Sequence, residues 1–523
     1  MIDRTPSVWD RENMLIPVLL ILCISLLYYY VTWLQNYWTR RKVPQGDTVW
    51  LFGDLFWFIL RRESTAAWVK RVYDICPNTR YSGCYQFTTP TLVIKDVDLI
   101  KKIAIKDFDT FPDHRTYVPE TSDPLWAKNL FAVKVPKWRQ MRPVLSPAFT
   151  SSKMKLMFNL MIDCVDHFVD YFKNDNNEVV EVECKDVFSR FATDVIGSCA
   201  FGFEVHSVEE ANNEFYQKGC ELTDFTNFWK NFALFGYMII PGLYKLLNLK
   251  IVSDEESKYY HSIIEKTIKL RKEKGIIRHD MIHLLMEARN EANKLQTNGD
   301  NNVWNISDED IIAQAIVFYF AGFDSVTLLL TYLFYELALH PDIQNRLRKE
   351  VEQTLKECDG RVTYESLFKM KYMDMVVSET LRKWPINVVV DRICQKPYTI
   401  EATTAHESPI TLEVGTVVWI PIYAIHHDAK YYPEPENFDP ERFNEDNKSA
   451  IIQGSYIPFG IGPRNCIGSR FALMETKILC FYILHHFEIV PTKKTLKSVS
   501  LSPKTFNMKP DKSIWLGLKR RNE

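Results

Sequence analysis

The sequence lacks paired cysteines and lacks a surplus of one charge. Its 523 residues contain 11 cysteines, an odd number with no CxxC pair and no regular spacing, which argues against a disulfide framework and a structural zinc site. The 64 lysines and arginines are balanced by 66 aspartates and glutamates, for a net charge of −2. These absences favour a reducing compartment, and they give no reason to expect nucleic acid as a partner.

Residues 14–34 lack charged side chains altogether. As a helix they would span about 31 Å, which matches the hydrocarbon core of a bilayer. A cleavable signal peptide is the alternative, but its apolar core is only about 7–15 residues long, and aromatic residues crowd the end of this stretch as in an interfacial belt. Residues 1–42 are therefore predicted to be a membrane anchor with a helix at about 14–34.

The remainder of the chain, residues 43–523, is predicted to form one large domain. Arg40, Arg41 and Lys42 follow the anchor helix, whereas the residues before it carry mixed charges. The positive-inside rule then places this domain in the cytosol. A hydrophobic content of 46% is enough to bury a large core.

Alternating apolar patterns near both ends of this domain predict β-strands, and helical patterns dominate between them. The predicted strands are 80–87 and 91–95, paired as a hairpin, and 410–420, 486–490 and 513–518. The polar run 294–302 is predicted to be a surface loop. The fold class expected is therefore mainly α with a small β-region, in a single globule.

The strongest helical signal begins after Ser307, which can cap Asp310, and ends before Pro341. This segment is apolar nearly all round, so it is predicted to run through the middle of the globule. A second membrane span is the alternative. Asp324 argues against it, since a charge at mid-membrane costs about 2.5–3.5 kcal/mol on insertion scales.

One cysteine lies in a distinctive loop, between Phe459 and a helical pattern that begins at Ser469. The thiol of Cys466 at a helix N-terminus would meet free N–H groups and the positive end of the helix dipole, which favour the metal-binding thiolate. Glycines on both sides let the backbone approach something bulky. The alternative, a small buried hydrophobe, is preferred for the other ten cysteines.

The spacing Phe459-x-x-Gly462-x-Arg464-x-Cys466-x-Gly468 resembles the cysteine loop of the cytochrome P-450 family, the haem-thiolate monooxygenases. The resemblance implies haem b as cofactor, with Cys466 as the axial iron ligand and Gly468 beside it. It also implies that Phe459 packs beneath the porphyrin and that Arg464 pairs with a propionate. Thiolate ligation favours O–O cleavage.

Two further motifs of the family concern haem propionates. Trp138-Arg-Gln-Met-Arg142 resembles the WxxxR helix, in which Trp138 and Arg142 point at a propionate. An ordinary amphipathic surface helix is the alternative. Arg392 matches a third propionate-binding arginine, and planar guanidinium groups suit carboxylates.

Glu379-Thr-Leu-Arg382 and Arg442 resemble the family's buried Glu-Arg-Arg triad. On its own the first pair is no more than a common surface ion pair. As a triad, these residues would clamp the loop that holds Cys466, and their role would be structural.

The central helix carries Phe320-Ala-Gly-Phe-Asp-Ser-Val326, which resembles the family's oxygen-activation segment. The resemblance implies that Gly322 makes room for dioxygen and that Asp324 and Ser325 are the catalytic residues that relay protons. A packed helix with one satisfied acid is the alternative. Ser325 stands where the family usually has threonine; it keeps the hydroxyl but loses the methyl that restrains the rotamer.

The resemblance covers nearly the whole chain and implies a microsomal monooxygenase. The activity expected is insertion of one oxygen atom of O2 into a lipophilic small molecule, with electrons from NADPH supplied by NADPH–cytochrome reductase, and cytochrome b5 as a further candidate donor. The location expected is the endoplasmic reticulum membrane. Asp123–Phe131 and Met508-Lys-Pro most resemble the insect branches of the clan that oxidises drugs, insecticides and other lipophiles.

Two other functions stay open at this point. One is a haem-thiolate isomerase or dehydratase that rearranges a peroxide without a reductase, although such enzymes tend to lose the acid–alcohol pair. The other is a non-catalytic haem sensor or carrier.

Several segments are expected to meet substrate, membrane or reductase. Substrate contacts are expected from 111–130, 318–324, 386–390 and 501–506. The aromatic segment 225–240 is predicted to dip into the bilayer near the substrate entrance, with core packing as the alternative. Lys134, Lys137 and Arg139 are candidates for a reductase-docking face, or for an ordinary solvated surface.

Overall fold

Helices make up most of the fold. The computed structural model of the chain describes residues 8–116, 118–278, 280–297, 306–403 and 407–521, and the structural statements below refer to these residues. In chain order the helices are α1 Val8–Gln35, α2 Tyr37–Arg40, α3 Phe56–Ile59, α4 Thr65–Asp74, α5 Val97–Lys101, α6 Pro124–Ala127, α7 Lys137–Leu145, α8 Ser151–Lys173, α9 Cys184–Ile196, α10 Glu214–Thr223, α11 Phe228–Ile239, α12 Pro241–Leu246, α13 Asp254–Lys274, α14 Met281–Thr297, α15 Asp308–Leu339, α16 Pro341–Glu357, α17 Tyr364–Leu367, α18 Lys371–Lys383, α19 Ile422–His426, α20 Glu445–Lys448 and α21 Ser469–His486.

Short strands form three small sheets. The strands are β1 Tyr81–Gln86, β2 Thr89–Ile94, β3 Val179–Glu183, β4 Val390–Ile393, β5 Tyr398–Ile400, β6 Ile410–Leu412, β7 Val417–Ile420, β8 Phe487–Pro491 and β9 Trp515–Arg520. One sheet has the order β1-β2-β7-β4, a second β3-β9-β8, and a third joins β5 to β6. All pairs are antiparallel except β2 with β7. The prediction of a mainly α fold with a small β-region is confirmed.

The predicted strands agree with the structure at four segments and differ at one. The hairpin of β1 and β2 is confirmed, and β8 and β9 lie within two residues of their predicted limits. The prediction of one continuous strand at 410–420 is wrong. Gly415, with φ of 90°, turns the chain between β6 and β7, and these two strands belong to different sheets. The left-handed backbone at Gly415 is one that residues with a side chain rarely adopt.

The predicted loop at 294–302 is wrong in its first part, because α14 continues to Thr297. Residues 298–302 lie outside the described residues. The polar side chains there gave no local signal for a helix end, since polar residues also occupy the solvent face of a surface helix.

The central helix α15 is confirmed. The Ser307 hydroxyl accepts the Asp310 N–H, and the Asp310 carboxylate accepts the Ser307 N–H, so both predicted cap residues start the helix. Of its apolar window, 61% is buried inside the globule. The helix lies in the continuous hydrophobic core, where it packs against α9, α10, α18 and α21.

The N-terminal helix α1 is the other described helix that is long and apolar enough to cross a membrane; its candidate span is Leu15–Gln35, of which only 6% is buried in the window tested. Its end packs firmly onto the first sheet. The Gln35 amide donates to the Val49 and Phe87 carbonyls, at 3.2 Å each. Trp38 is fully buried, and its indole N–H donates to the Cys84 carbonyl at 3.2 Å.

Candidate functional site

The loop before α21 is a tight turn closed by backbone hydrogen bonds. The Cys466 N–H donates to the Phe459 carbonyl at 2.9 Å, and the Asn465 N–H donates to the Gly462 carbonyl at 3.0 Å. Gly462 has φ of 79°, and a Cβ there would collide with the Ala104 carbonyl oxygen. Gly462 therefore packs this loop against the turn after α5, while Gly468 stands as the N-cap of α21.

The thiol of Cys466 reaches accessible space although protein atoms crowd around it. The residue is exposed, in contrast to five other cysteines that are buried. Burial among these atoms raises the pKa of Cys466, against the opposing effects of the Gly468 N–H and the Arg142 charge. The Gly468 N–H at the helix terminus does lower the pKa, as the sequence predicts, but desolvation is the larger effect. A bound metal ion would reverse this balance, since coordination deprotonates a thiol outright.

Arg464 is the centre of a buried cationic cluster. Its guanidinium donates to the Pro112 carbonyl at 2.8 Å and to the Val133 carbonyl at 3.0 Å, and it pairs with Asp113 at 3.0 Å. It also lies over the Trp138 ring, 4.3 Å from the centroid. Burial lowers the pKa of Arg464 to about 9; Asp113 opposes this shift, whereas Arg392 and Arg142 add to it.

The other two predicted propionate arginines join the same cluster. Burial lowers the pKa of Arg392 to about 10 and also lowers that of Arg142. Arg392 donates to the Ile461 carbonyl at 3.2 Å, but its buried Nε has no hydrogen-bond partner among the described residues. Arg142 donates to the Asn465 side chain at 3.1 Å. The structure thus brings Trp138, Arg142, Arg392 and Arg464 around the cysteine loop with more positive than negative charge.

Two acids and a histidine beside this cluster were not expected from the sequence. Asp113 pairs with Arg464, and Asp391 accepts from His114 Nδ1 at 3.0 Å. Burial lowers the pKa of His114, against the effect of Asp391. The His114 ring stacks on Phe131 with centroids 4.4 Å apart. No spacing in the sequence links these residues, since Asp113 and Arg464 are 351 positions apart.

The predicted triad is assembled as expected. Arg382 and Glu379, both fully buried, form a two-pronged pair with N–O distances of 2.9 and 2.8 Å. Arg442 Nε lies 3.5 Å from the same carboxylate. Burial raises the pKa of Glu379, and Arg382 opposes the rise.

The two arginines of the triad also donate hydrogen bonds to the backbone of the chain that leads to the cysteine loop. Arg382 donates to the Pro435 carbonyl at 2.6 Å and to the Asn437 carbonyl at 3.1 Å. Arg442 donates to the carbonyls of Pro433 and Glu434, at 2.6 and 2.9 Å. Backbone carbonyls therefore accept from the terminal nitrogens of both guanidinium groups, whereas Arg442 Nε makes no hydrogen bond within the described residues.

The buried helix α15 opens at one place. Ala321 is exposed and Gly322 is half-buried, although most of the helix around them is buried. Phe149 connects this opening to the cysteine loop: its ring lies 5.7 Å from the Phe318 ring, and it is the nearest neighbour, at 3.7 Å, of a Cβ built on Gly468. Phe149 thus lies close both to α15 and to the cysteine loop.

Asp324 and Ser325, predicted to act together, have different partners. The Ser325 hydroxyl donates to the Ala321 carbonyl within the helix. The Asp324 carboxylate accepts from the Asn507 amide and pairs with Lys509 at 3.0 Å. Asn507 and Lys509 were not predicted as site residues, although the sequence Met508-Lys-Pro had been singled out for its resemblance.

Three of the segments expected to meet substrate or membrane converge beside this opening. The Phe320 ring on α15 lies 5.7 Å from the Trp126 ring and 5.6 Å from the Phe225 ring. The segment 225–240 itself is mixed: Trp229 is 71% exposed, whereas Tyr237 is 2% exposed. Aromatic side chains therefore border the space near Ala321.

The residues present suit a planar dianionic cofactor with a metal ion. Three guanidinium groups, two of them buried and one of these with an orphaned Nε, can hold two carboxylates. A cysteine exposed on the same loop can ligate a metal, and α15 has exposed surface at Ala321. This combination defines a haem-thiolate protein.

Comparison with known proteins gives the family. A sequence profile described as cytochrome P-450 matches residues 43–516. Cytochrome P-450 9e2 of Blattella germanica is 42% identical over 520 residues, covering 95% of this chain and 96% of its own length. Probable cytochrome P-450 9f2 of Drosophila melanogaster is 37% identical over 508 residues, covering 95% and 98%. Cytochrome P-450 6j1 of Blattella germanica is 36% identical over 499 residues, covering 95% and 96%.

The chain belongs to the cytochrome P-450 family. Its cofactor is therefore haem b, whose iron this family holds through a cysteine thiolate. The relatives named are insect proteins, which agrees with the resemblance found in the sequence.

Proposed function

We propose that the protein is a membrane-bound monooxygenase that inserts one oxygen atom of O2 into a lipophilic small molecule, with electrons delivered from NADPH by a reductase. The observation that carries this proposal is the exposed Cys466 on a loop beside Arg142, Arg392 and Arg464, with Phe149 linking that loop to the central helix near the exposed Ala321. Haem bound there supplies thiolate-ligated iron that activates dioxygen.

Cys466 would ligate the iron, and the surrounding residues would hold the cofactor in place. Arg142, Arg392 and Arg464 would pair with the two propionates, which would relieve the desolvation that lowers the pKa of each guanidinium. Trp138 stacks on Arg464 and keeps its guanidinium plane fixed. Phe459 would pack beneath the porphyrin, and Gly468 would leave space for it.

Ser325 and Asp324 would move protons toward the reacting oxygen. Each turnover takes dioxygen, two electrons and two protons, and yields hydroxylated product and water. Ser325 lies one turn from the accessible Ala321, so its hydroxyl is within reach of ordered water at the opening. The Asp324 carboxylate is buried, and the polar side chains of Lys509 and Asn507 hold it. It can exchange protons through water at this site.

A lipophilic substrate is proposed because the walls near Ala321 are aromatic. Trp126, Phe225 and Phe320 contact one another there. Such rings offer apolar area and few hydrogen bonds, which suits a hydrophobic ligand.

We place the protein on the endoplasmic reticulum membrane, with the catalytic domain in the cytosol. The span Leu15–Gln35 is apolar and little buried. A second apolar surface lies on α11 and α12, where Trp229, Ile240 and Leu246 are 71%, 50% and 82% exposed. Exposed apolar area of this kind favours contact with lipid, so residues 225–240 are proposed to dip into the bilayer.

The proposed electron donors are NADPH–cytochrome reductase and, secondarily, cytochrome b5. Of the three cations considered for docking, Lys137 pairs with Asp310 at 3.5 Å and Arg139 pairs with Asp109. These pairs reduce the positive charge that α7 presents. Lys134, which is exposed, is left as the main candidate of the three.

The proposal is tested with the full-length protein in phospholipid vesicles containing the reductase. Given NADPH, labelled dioxygen and a panel of lipophilic compounds, we expect labelled hydroxylated product, and none from Cys466→Ala. Product formed equally well from an organic hydroperoxide without reductase would instead support an isomerase or dehydratase. Ligand binding without any turnover would support a haem sensor or carrier.

A further inference from the structure

The acid of the central helix obtains its partners from a distant part of the chain. Asp324 is buried on a helix whose neighbouring side chains are mostly apolar, and the Ser325 hydroxyl bonds to Ala321 instead. A buried carboxylate needs donors to remain charged. Among the described residues, the two side chains that donate to this carboxylate belong to residues 507–509. This segment therefore determines how the carboxylate is held.

The two donors grip different oxygens of the same carboxylate. Lys509 Nζ lies 3.0 Å from Oδ1, and the Asn507 amide donates to Oδ2. The Asp324 and Lys509 side chains are each 11% exposed, so the pair is little screened by solvent. The Asn507 side-chain oxygen is buried and accepts no hydrogen bond from the described residues. It can therefore accept one from a water molecule.

The donors belong to a hairpin whose tip packs against α3 and α11. Leu501 and Pro510 form a β-bridge, and the Ser502 N–H donates to the Lys509 carbonyl at 2.8 Å. At the tip, the Phe506 ring lies 5.1 Å from Phe58 and 5.7 Å from Phe235. The hairpin therefore spans from the aromatic residues of α3 and α11 to the acid of α15.

Lys509 also acts on the segment that leads into α11. Burial raises the pKa of Asp224, but hydrogen bonds from Thr226 and the nearby charge of Lys509 bring the pKa below its usual range. Asp224 directly precedes Phe225, whose ring contacts Phe320. One ammonium group thus faces an acid on the central helix and an acid beside the aromatic wall.

We propose that Lys509 and Asn507 are positioning residues for Asp324, and that the hairpin Leu501–Pro510 fixes the carboxylate for proton delivery. This inference rests on the proposed function. With this pairing intact, the Asp324 carboxylate stays in position for proton delivery, so NADPH, dioxygen and substrate yield product and water. Without it, delivery slows, and the same two electrons and two protons leave with dioxygen as hydrogen peroxide.

The test compares Lys509→Met, which removes the charge, with Lys509→Arg, which keeps it. Lys512→Met is the matched control, because Lys512 is exposed just beyond the same hairpin and outside the segments expected to meet substrate. In reductase vesicles we expect Lys509→Met to raise the peroxide released per NADPH several-fold. Lys509→Arg should restore most of the coupling, and the control should behave as the unaltered protein. An unchanged peroxide fraction in Lys509→Met would overturn the proposal.

A double-mutant cycle keeps the proposal testable if Lys509→Met folds poorly. The double variant Asp324→Asn with Lys509→Met lacks both charges. Its unfolding temperature should therefore be higher than that of Lys509→Met alone and close to that of the unaltered protein. Its peroxide fraction should equal that of Asp324→Asn alone, because Lys509 acts only through Asp324. Additive effects of the two substitutions on the unfolding temperature would contradict a direct pairing of Lys509 with Asp324.

Failure of the proposed function looks different. If the unaltered, haem-loaded protein forms no product with NADPH and reductase, the monooxygenase assignment fails whatever the lysine variants do. The double-mutant cycle of unfolding temperatures still tests the pairing of Lys509 with Asp324 in that case, since it needs no turnover.

Discussion

Helices α1 and α15 have similar composition and opposite surroundings. Each is long and apolar enough to cross a bilayer, yet the share of the apolar window buried in protein is 6% in α1 and 61% in α15. The difference lies in the polar residues. On α15, Gln314 accepts the Leu130 N–H at 2.9 Å and Glu336 pairs with Lys383 at 2.8 Å, so each finds a protein partner. Apolar length alone does not distinguish a membrane helix from a core helix; satisfied polar residues do.

The most direct test of the difference between α1 and α15 is to place the same charge in both helices. Leu329 on α15 is 2% exposed and Leu22 on α1 is 52% exposed. Leu329→Asp buries an unpaired carboxylate, which should cost more than about 4 kcal/mol and abolish haem-loaded protein. Leu22→Asp should leave the unfolding of the catalytic domain unchanged, and it should weaken membrane retention by about 2.5–3.5 kcal/mol on insertion scales.

Membrane extraction and thermal unfolding in detergent, measured on both aspartate variants, separate the two outcomes. Equal loss of folded protein from both would contradict the difference drawn between the helices.

The second-largest effect is expected where the N-terminal segment, predicted to be a membrane anchor, meets the domain. Trp38 is fully buried against the first sheet and Trp33 is 50% exposed. Trp38→Ala should lower the free energy of unfolding by about 3–5 kcal/mol. Trp33→Ala removes only a contact with the Arg40 guanidinium, which lies 4.7 Å from the ring, and should cost less than about 1 kcal/mol.

Denaturant unfolding of the two tryptophan variants checks this. A Trp38→Ala protein as stable as the Trp33→Ala protein would show that the end of the anchor is not part of the folded domain.

A pH effect is expected near α15 and not near α1. Asp194 lies on α9, which packs against α15; burial raises the pKa of Asp194 to about 7, against the hydrogen bonds from Ser207. A raised pKa means that its contribution to stability is complete below the unfolded value and is lost as the pH rises through about 7. Asp194→Asn should therefore become progressively more stable relative to the unaltered protein between about pH 4 and 7, and the difference should level off above pH 7.

Thermal unfolding across that range measures the Asp194 effect. Deletion of residues 1–34 serves as the control and should leave the pH dependence unchanged. If Asp194→Asn and the unaltered protein kept a constant difference, the burial assigned to this carboxyl would be wrong.

The smallest effect is expected from a methyl group at the opening of α15. Ser325→Thr restores a restrained rotamer while keeping a hydroxyl that can bond to Ala321, so product per NADPH should rise modestly. Ser25→Thr in α1 is the matched control and should change nothing. A fall in coupling in Ser325→Thr would show that the serine rotamer is itself required.

Local patterns in the sequence were enough to predict the elements and motifs that are close in the chain. The cap at Ser307, the hairpin of β1 and β2 and the pair Glu379–Arg382 depend on residues a few positions apart. The central helix could be separated from a membrane span because Asp324 is costly in lipid.

Contacts between distant segments could not be predicted. Asn507 is 183 positions from Asp324, so no periodicity connects them. The turn at Gly415 was missed because both halves of 410–420 have strand patterns and only the backbone shows that they enter separate sheets. The desolvation of Cys466 could not be predicted because burial depends on tertiary packing, which a helix-terminus rule leaves out.

The carbon-monoxide difference spectrum of the reduced, full-length protein tests the central claim most directly. We predict the red-shifted Soret band that thiolate ligation gives, and its loss in Cys466→Ala at unchanged thermal stability of the remaining fold. Folded, haem-loaded protein that lacks this band, or a Cys466→Ala variant that keeps it, would contradict the assignment of Cys466 as the ligand.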